Sequence, residues 1–519
     1  MKMEFIKAVG KDLYVGEKQI LLRGFGLGGW FLPEGYMWKL YTKCDRPRRM
    51  EKMIETLCGR EYADNFWRSY LDGYITEQDI ELIAEEGFNS VRLPLNARHL
   101  YHSEKQVLTM NMDSLSRIDT LIEWCRKYQI YVILDMHGAP GGQTGQNIDD
   151  SEEDLPALFM EKRYEEELVY LWTEFAKRYK DEPVIAGYDL LNEPLPNFFS
   201  QYNDMLLPLY RRLIEEIRRI DTKHMIILEG LHWSTDFSVF DSFTREEAGD
   251  NIMLQFHKYW SNPDIESMEV FLQTANRLNV PLFMGEGGEN NCDWYTTLFP
   301  LLEQHNISWS FWSYKKMECT NSPITFASPE GWPELLHWID GKSELSKERA
   351  IHIFNSFLHS ITNFKVNQKV LNALKRQKPL RIPAEAYHDY QIQSKRVIGA
   401  TLRETDPVSI IFANGKTGVV DYRRYGGEEQ KEEDNLLVQL VEGDRVGYLF
   451  SWDFDEVELI VSGEGEGILS TMIDTTNKRF KVNGKGNYSS VIKNTVKGQQ
   501  TIWLGCEKGT ILIDYIELS

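Results

Sequence analysis

The sequence predicts an α/β chain: a (β/α)8 TIM barrel followed by a C-terminal β-sandwich domain. Three observations lead there. Eight short, nearly continuous apolar runs, at 21–25, 90–95, 131–136, 185–191, 225–228, 252–256, 281–284 and 308–312, fill the first two-thirds of the 519 residues. Between them stand patterns with apolar residues at three- and four-residue steps, among them 113–127, 163–180 and 267–278. After about residue 360 that spacing gives way to alternating runs broken by Gly, Asn and Asp.

Runs without alternation suit strands buried on both faces of a parallel sheet. Eight strand–helix repeats are the number that closes a barrel. Residues 343–359 read as the last helix, and 41–70, long for a first connection, as an insertion walling the barrel mouth. The expected domains are a barrel over 1–362, a basic linker or strap over 363–383, and a sandwich over 384–519. Its strand candidates are 436–440, 445–450, 457–461, 501–504 and 510–516. The acidic run 428–434 reads as a solvated loop.

Hydrophobic residues at 42% and aromatics at 12% supply a large core and exclude a disordered chain. A net charge of −21 argues against nucleic acid or an anionic membrane surface as partner. No apolar run approaches the roughly 20 residues of a membrane span. The cysteines, at 44, 58, 125, 292, 319 and 506, form no CxxC pair, as expected of a reduced protein without a zinc site. The first residues hold no apolar core of signal-peptide length, so the expected location is the cytoplasm.

Chemistry on such a barrel gathers at the C-terminal ends of the strands. The polar residues there come in order: Gly24-Phe-Gly-Leu-Gly-Gly-Trp30-Phe-Leu-Pro-Glu34, Val91-Arg92, Asp135-Met-His137, Asn192-Glu193, Phe256-His257-Lys-Tyr259, Glu286 and Trp309-Ser-Phe-Trp312. Glu193 and Glu286 each follow a buried-strand pattern, so two acids can meet at one rim. That pairing suits cleavage of a glycosidic bond, in which one acid protonates the leaving oxygen and the other attacks the sugar. Asp135 and Glu229 also end strands and read as structural hydrogen-bonding groups. No two His, Asp or Glu of this set lie at metal-ligand spacing on one element.

Over roughly residues 15–360 these strand-end motifs resemble glycoside hydrolase family 5. The resemblance implies that Glu193 is the acid/base and Glu286 the nucleophile, with Arg92 and Tyr259 supporting the charge of Glu286. Asn192 would bind the sugar 2-hydroxyl, His137 and His257 would line the site, and Trp312 would floor the −1 subsite. Each has a plainer reading: Arg92 as a structural ion-pair partner, the histidines as satisfied buried groups, Trp312 as core. The segment 28–34 with His137-Gly-Ala-Pro-Gly141 is similar to the exo-β-1,3-glucanase branch, in which the residue at the Glu34 position grips the terminal glucose. The loop after Pro140 departs from that branch.

At the C-terminus, the stretches around Glu385 and Asp514 look like a family 6 or family 35 carbohydrate-binding module. There the matching acids help hold a structural calcium, a cation that takes oxygen ligands. No cofactor is expected for catalysis. The leading expectation is a retaining β-glycosidase acting by exo cleavage on β-glucosides or short β-gluco-oligosaccharides. The alternatives are an endo-β-glucanase, a β-mannoside-cleaving relative, and a non-catalytic sugar-binding protein. The oligomeric state is left open.

Overall fold

The computed structural model describes residues 3–41, 43–104, 107–473, 476–493 and 497–519. The chain forms two compact units, Met1–Lys258 with Val270–Gly287 and Asn306–Val366, and Tyr259–Glu269 with Gly288–His305 and Asn367–Ser519.

Eight strands close into a barrel: β1 (Arg23–Gly26), β2 (Ser90–Asn96), β3 (Tyr131–Gly138), β4 (Ile185–Asp189), β5 (Met225–Glu229), β6 (Ile252–Lys258), β7 (Leu282–Gly288) and β8 (Ser308–Trp312). Every expected apolar run falls on one of them, and the described neighbours pair in parallel. Strands β2, β3, β6 and β7 are buried at every residue, which is why their sequences run apolar instead of alternating. Glycine sits where neighbouring strands crowd: a Cβ on Gly24 would stand 1.7 Å from the Ser90 carbonyl oxygen.

Short antiparallel strands Ile6–Val9, Asp12–Val15 and Lys18–Ile20, which the apolar-run pattern does not announce, precede the barrel. Ile6, Leu13 and Leu22 pack against Tyr131, Met225, Met253 and Phe283, near the N-terminal ends of their strands. That end is thereby plugged, and the C-terminal ends of the strands remain for chemistry.

The insertion holds two helices, Pro47–Cys58 and Arg60–Gly73. Its anchor is Trp38, fully buried, with ring centroids 5.8 Å from Trp67, 5.1 Å from Tyr70 and 4.3 Å from Phe357. Phe357 belongs to the helix Lys347–Thr362, the element expected over 343–359.

In the second unit, strands between 380 and 518 form an antiparallel, sheet-rich domain. Two long strands, Glu456–Ile473 and Gly498–Leu518, pair along most of their length. They approach closely at glycines: a Cβ on Gly467 would lie 2.1 Å from the Lys508 carbonyl oxygen. The stretch expected as a linker or strap carries the helix Gln368–Lys375 and the strand Leu380–Pro383. Arg376 follows, buried, its guanidinium donating to the carbonyls of Thr296, Leu449 and Ala386. Within the acidic run Asp434 departs from a solvated loop: it is buried and paired with Lys416 at 2.7 Å. No helix among the described residues is long and apolar enough to cross a membrane.

The aromatic cluster gives a stability prediction. Trp38→Ala should lower the unfolding free energy by about 3–5 kcal/mol, the range for deleting a buried Trp side chain. Guanidinium denaturation measures it, and a loss below about 1 kcal/mol would show that Trp38 does not anchor the insertion.

Candidate active site

Arg92, on β2, is the centre of the barrel mouth and is fully buried. Its Nε donates to Asp189 Oδ2 at 2.8 Å and its Nη1 to Glu286 Oε1 at 2.6 Å. Its Nη2 donates to Asn192 Oδ1 at 2.8 Å and Glu229 Oε1 at 3.0 Å, and lies 3.2 Å from Asp135 Oδ2. Burial opposes the charge, but Asp135, Asp189, Glu286 and Glu229 outweigh it and hold the guanidinium protonated. Burial pushes the carboxyls of Asp135 and Asp189 well above the usual range, against the pull of Arg92. One oxygen of each has no hydrogen-bond partner among the described residues.

His257, on β6, joins the two acids singled out from the sequence. Its Nδ1 lies 2.7 Å from Glu193 Oε1 and 3.6 Å from Glu286 Oε2. Its Nε2 lies 3.4 Å from Glu229 Oε1. Burial works against its charge, but Glu229, Glu286 and the bond to Glu193 prevail and keep the imidazole protonated well above its ordinary value. Burial raises Glu229 in turn, and His257 first among its partners pulls it below the ordinary range.

One ligand atom from each of Glu193, His257 and Glu286 lies within 4.8 Å of the others. Such a set has the spacing for a metal, and equally that of a hydrogen-bonded cluster, with His257 Nδ1 2.7 Å from Glu193 Oε1. The contacts suit hydrogen bonding.

Local sequence explains the placement. Glu193 has φ 45° and Leu195 φ 51°, left-handed values at two non-glycine residues flanking Pro194. The Glu193 N–H donates to Glu229 Oε2 at 2.8 Å, and the Asn192 N–H to the Met136 carbonyl at 3.1 Å. Gly285 makes room for Gln255, since a Cβ there would meet its amide at 2.1 Å, and Gln255 Nε2 donates to Glu229 Oε1.

His137 and Trp312 form the floor, their rings stacked at 5.2 Å and 8°. Gly26 and Gly28 leave space for the indole, because a Cβ on either would come within 3 Å of it. Trp312 Nε1 donates to the Tyr36 hydroxyl at 3.0 Å. His137 Nδ1 lies 2.8 Å from Asp135 Oδ2. Burial lowers the His137 imidazole to about 4, so the ring is neutral at pH 7.

Of the residues singled out from sequence, Arg92, His137, Asn192, Glu193, His257, Glu286 and Trp312 come together here. Glu34 is buried at the entrance to the short helix Gly35–Trp38, two residues before Tyr36. Tyr259 follows Lys258 directly but belongs to the second unit, with its ring 5.3 Å from Trp260. In that same unit burial, followed by the charges of Asp293 and Asp514, pushes the Glu385 carboxyl up to about 8. Among the described residues Glu385 and Asp514 are not gathered into a three-ligand set like that of Glu193. Asp189, Gln255 and Tyr36 were not legible as site residues. The first two lie inside strand patterns, where the only signal is a polar residue interrupting an apolar run.

Residues 56–318 match the family model Cellulase (glycosyl hydrolase family 5). A β-xylosidase from Phanerodontia chrysosporium is 30% identical over 259 residues, covering 50% of this chain and 52% of that protein. Endoglucanase C from Acetivibrio thermocellus is 25% identical over 311 residues, covering 49% and 88%. A probable glucan 1,3-beta-glucosidase A from Emericella nidulans is 28% identical over 243 residues, covering 46% and 57%. The aligned part of the chain thus spans about half the length of the β-xylosidase and the glucosidase.

The neutral His137 gives a pH prediction. Folded, it takes up a proton only near pH 4, against 6.5 for the free side chain. Between those values the unfolded chain binds more protons, so stability falls as pH falls. From pH 7 to 4.5 wild type should lose about 2 kcal/mol more than His137→Asn, by urea denaturation at each pH. Equal losses would mean that His137 titrates normally in the fold.

Proposed function

Because the chain belongs to glycoside hydrolase family 5, and so is a glycoside hydrolase, we propose that it is a retaining, exo-acting β-glycosidase for β-glucosides or short β-gluco-oligosaccharides. One observation carries the mechanism: carboxylate oxygens of Glu193 and Glu286 lie within 4.8 Å of each other. Retaining enzymes hold their carboxyl groups about 5–5.5 Å apart, whereas inverting ones leave about 6.5–9.5 Å for a water.

In the proposed reaction Glu286, oriented by Arg92, attacks the anomeric carbon, and Glu193 gives its proton to the departing oxygen. The glycosyl ester on Glu286 is then opened by a water whose proton Glu193 takes. Asn192 is assigned to the 2-hydroxyl, His137 and His257 to lining the site, and Tyr259, with Arg92, to supporting the charge of Glu286. The Trp312 face, backed by His137, supports the pyranose ring. Glu34 is assigned to the hydroxyls of the terminal sugar, which would block further subsites. Its burial in the segment that Tyr36 ties to Trp312 supports this. The names of the xylosidase, endoglucanase and 1,3-beta-glucosidase relatives support a β-linked sugar substrate. An endo mode is the second reading, favoured by the match to 88% of an endoglucanase. Six unpaired cysteines support a reducing compartment. For the C-terminal domain we keep the carbohydrate-binding-module reading, with Glu385 and Asp514 as calcium ligands, supported by the Glu385 carboxyl, which burial and then the charges of Asp293 and Asp514 push up to about 8.

Azide chemistry tests the two roles. Glu193→Ala should still cleave aryl glycosides with good leaving groups, and added azide should speed its turnover and yield a β-glycosyl azide. An α-azide from this variant would reverse the assignments. Glu34→Ala should lose about 1.5–3 kcal/mol in kcat/KM on aryl monoglycosides, the range for hydrogen bonds to a charged group. Unchanged kcat/KM, or internal cuts in long glucans by wild type, would favour the endo mode. EGTA treatment should lower the Tm of the C-terminal domain and added calcium restore it. No calcium by elemental analysis and no Tm change would remove the ion from the account.

A further inference from the structure

Gln143 lies in the loop after β3, outside the motifs that carry the acids, and is fully buried. Its Oε1 accepts from the Ala139 N–H at 3.0 Å. Its Nε2 donates to the His137 carbonyl at 2.7 Å and to the Asn192 carbonyl at 2.8 Å. Its own main-chain carbonyl accepts from the Leu195 N–H at 3.2 Å. One residue therefore ties the end of β3 to the chain on both sides of Glu193.

That chain needs holding. Left-handed backbone at Glu193 and Leu195 is unfavourable for side chains bearing a Cβ, and Pro194 between them has no N–H to contribute. The turn's main chain is also held by the Asn192 and Glu193 N–H bonds described above and by the His232 N–H, which donates to the Leu195 carbonyl at 3.1 Å, and its side chains by Arg92 and His257. Gln143 is itself fixed from the insertion side. Asp149 accepts from the N–H groups of Thr144 and Gly145, and its neighbour Asp150 is bound by Arg48, Asn96 and Arg98.

We propose that Gln143 is a positioning residue for proton donation: its amide clamps the Asn192–Leu195 turn so that the Glu193 carboxyl is aimed at the leaving-group oxygen. This rests on Glu193 being the acid. Glu286 and Arg92 stand on other strands, β7 and β2, and although Arg92 donates to Asn192 Oδ1 in the turn, Asp189 and Glu286 hold its guanidinium from their own strands. Loss of the amide should therefore impair protonation of the leaving group and spare attack on the sugar.

Leaving-group dependence tests it. Gln143→Met and Gln143→Glu would be assayed on a 2,4-dinitrophenyl β-glycoside, whose departure needs no acid, and on the matching alkyl β-glycoside, which needs one. The burst from a 2,4-dinitrophenyl 2-deoxy-2-fluoro-β-glycoside counts active sites, so partial misfolding is normalised out. Per active site, kcat/KM on the alkyl glycoside should fall about 30- to 100-fold and that on the dinitrophenyl glycoside less than about threefold, as expected when an acid is misplaced by roughly 1 Å. Should Gln143→Met not fold, Gln143→Glu, which keeps the acceptor for Ala139 and loses both donors, decides the matter. Equal losses on both substrates, or none, would overturn the proposal. Glu193→Ala is the control: if it too lacks the selective loss, the acid assignment fails and the role of Gln143 falls with it, whereas a selective loss in Glu193→Ala that the Gln143 variants do not share overturns the Gln143 proposal alone.

Discussion

A buried guanidinium surrounded by four carboxyl groups is the constraint on which the rest of the site depends. Arg92 on β2 reaches Asp135 on β3, Asp189 and Asn192 at the end of β4, Glu229 on β5 and Glu286 on β7. Five of the eight barrel strands therefore share one cation. Removing a charge of this kind from water is costly, and the cost is offset only when its partners are placed well and satisfied. The same requirement fixes the proposed nucleophile, because Glu286 is one of those partners.

The charges divide the mouth into two environments. Glu286 rests on Arg92, a permanent cation suited to orienting the proposed nucleophile. Glu193 rests on His257, whose protonation is sustained by Glu229 and Glu286. Glu229 serves both halves, accepting from Arg92 and from the Glu193 main chain. Two glutamates of the same chemistry thus have different partners, a guanidinium for Glu286 and an imidazole for Glu193. The Gln143 amide adds a mechanical restraint to the electrostatic one.

Much of this was legible in the sequence, for identifiable reasons. The barrel strands stood out because a parallel sheet buried on both faces leaves continuous apolar runs, and the two glutamates because they follow such runs. Asp189 and Gln255 were hidden by the same runs, since a single polar residue inside a strand carries no period. Gln143 had no signal, because its partners are main-chain groups and any residue supplies those. The N-terminal strands were missed because strands of three or four residues make no run. In the C-terminal domain the alternating runs were legible, but the burial of Tyr422 and Trp452 was not. The fate of an aromatic ring depends on pairing across strands far apart in sequence.

The central claim is that Glu286, held by Arg92, becomes covalently bonded to the sugar. Incubation with a 2-deoxy-2-fluoro-β-glycosyl fluoride, which forms the ester and hydrolyses slowly, followed by peptide mass spectrometry, tests this directly. The account predicts one fluoroglycosyl group on the peptide carrying Glu286, located on that residue by fragmentation. A label on Glu193 or Glu229, or rapid turnover of the reagent with no covalent adduct, would contradict it.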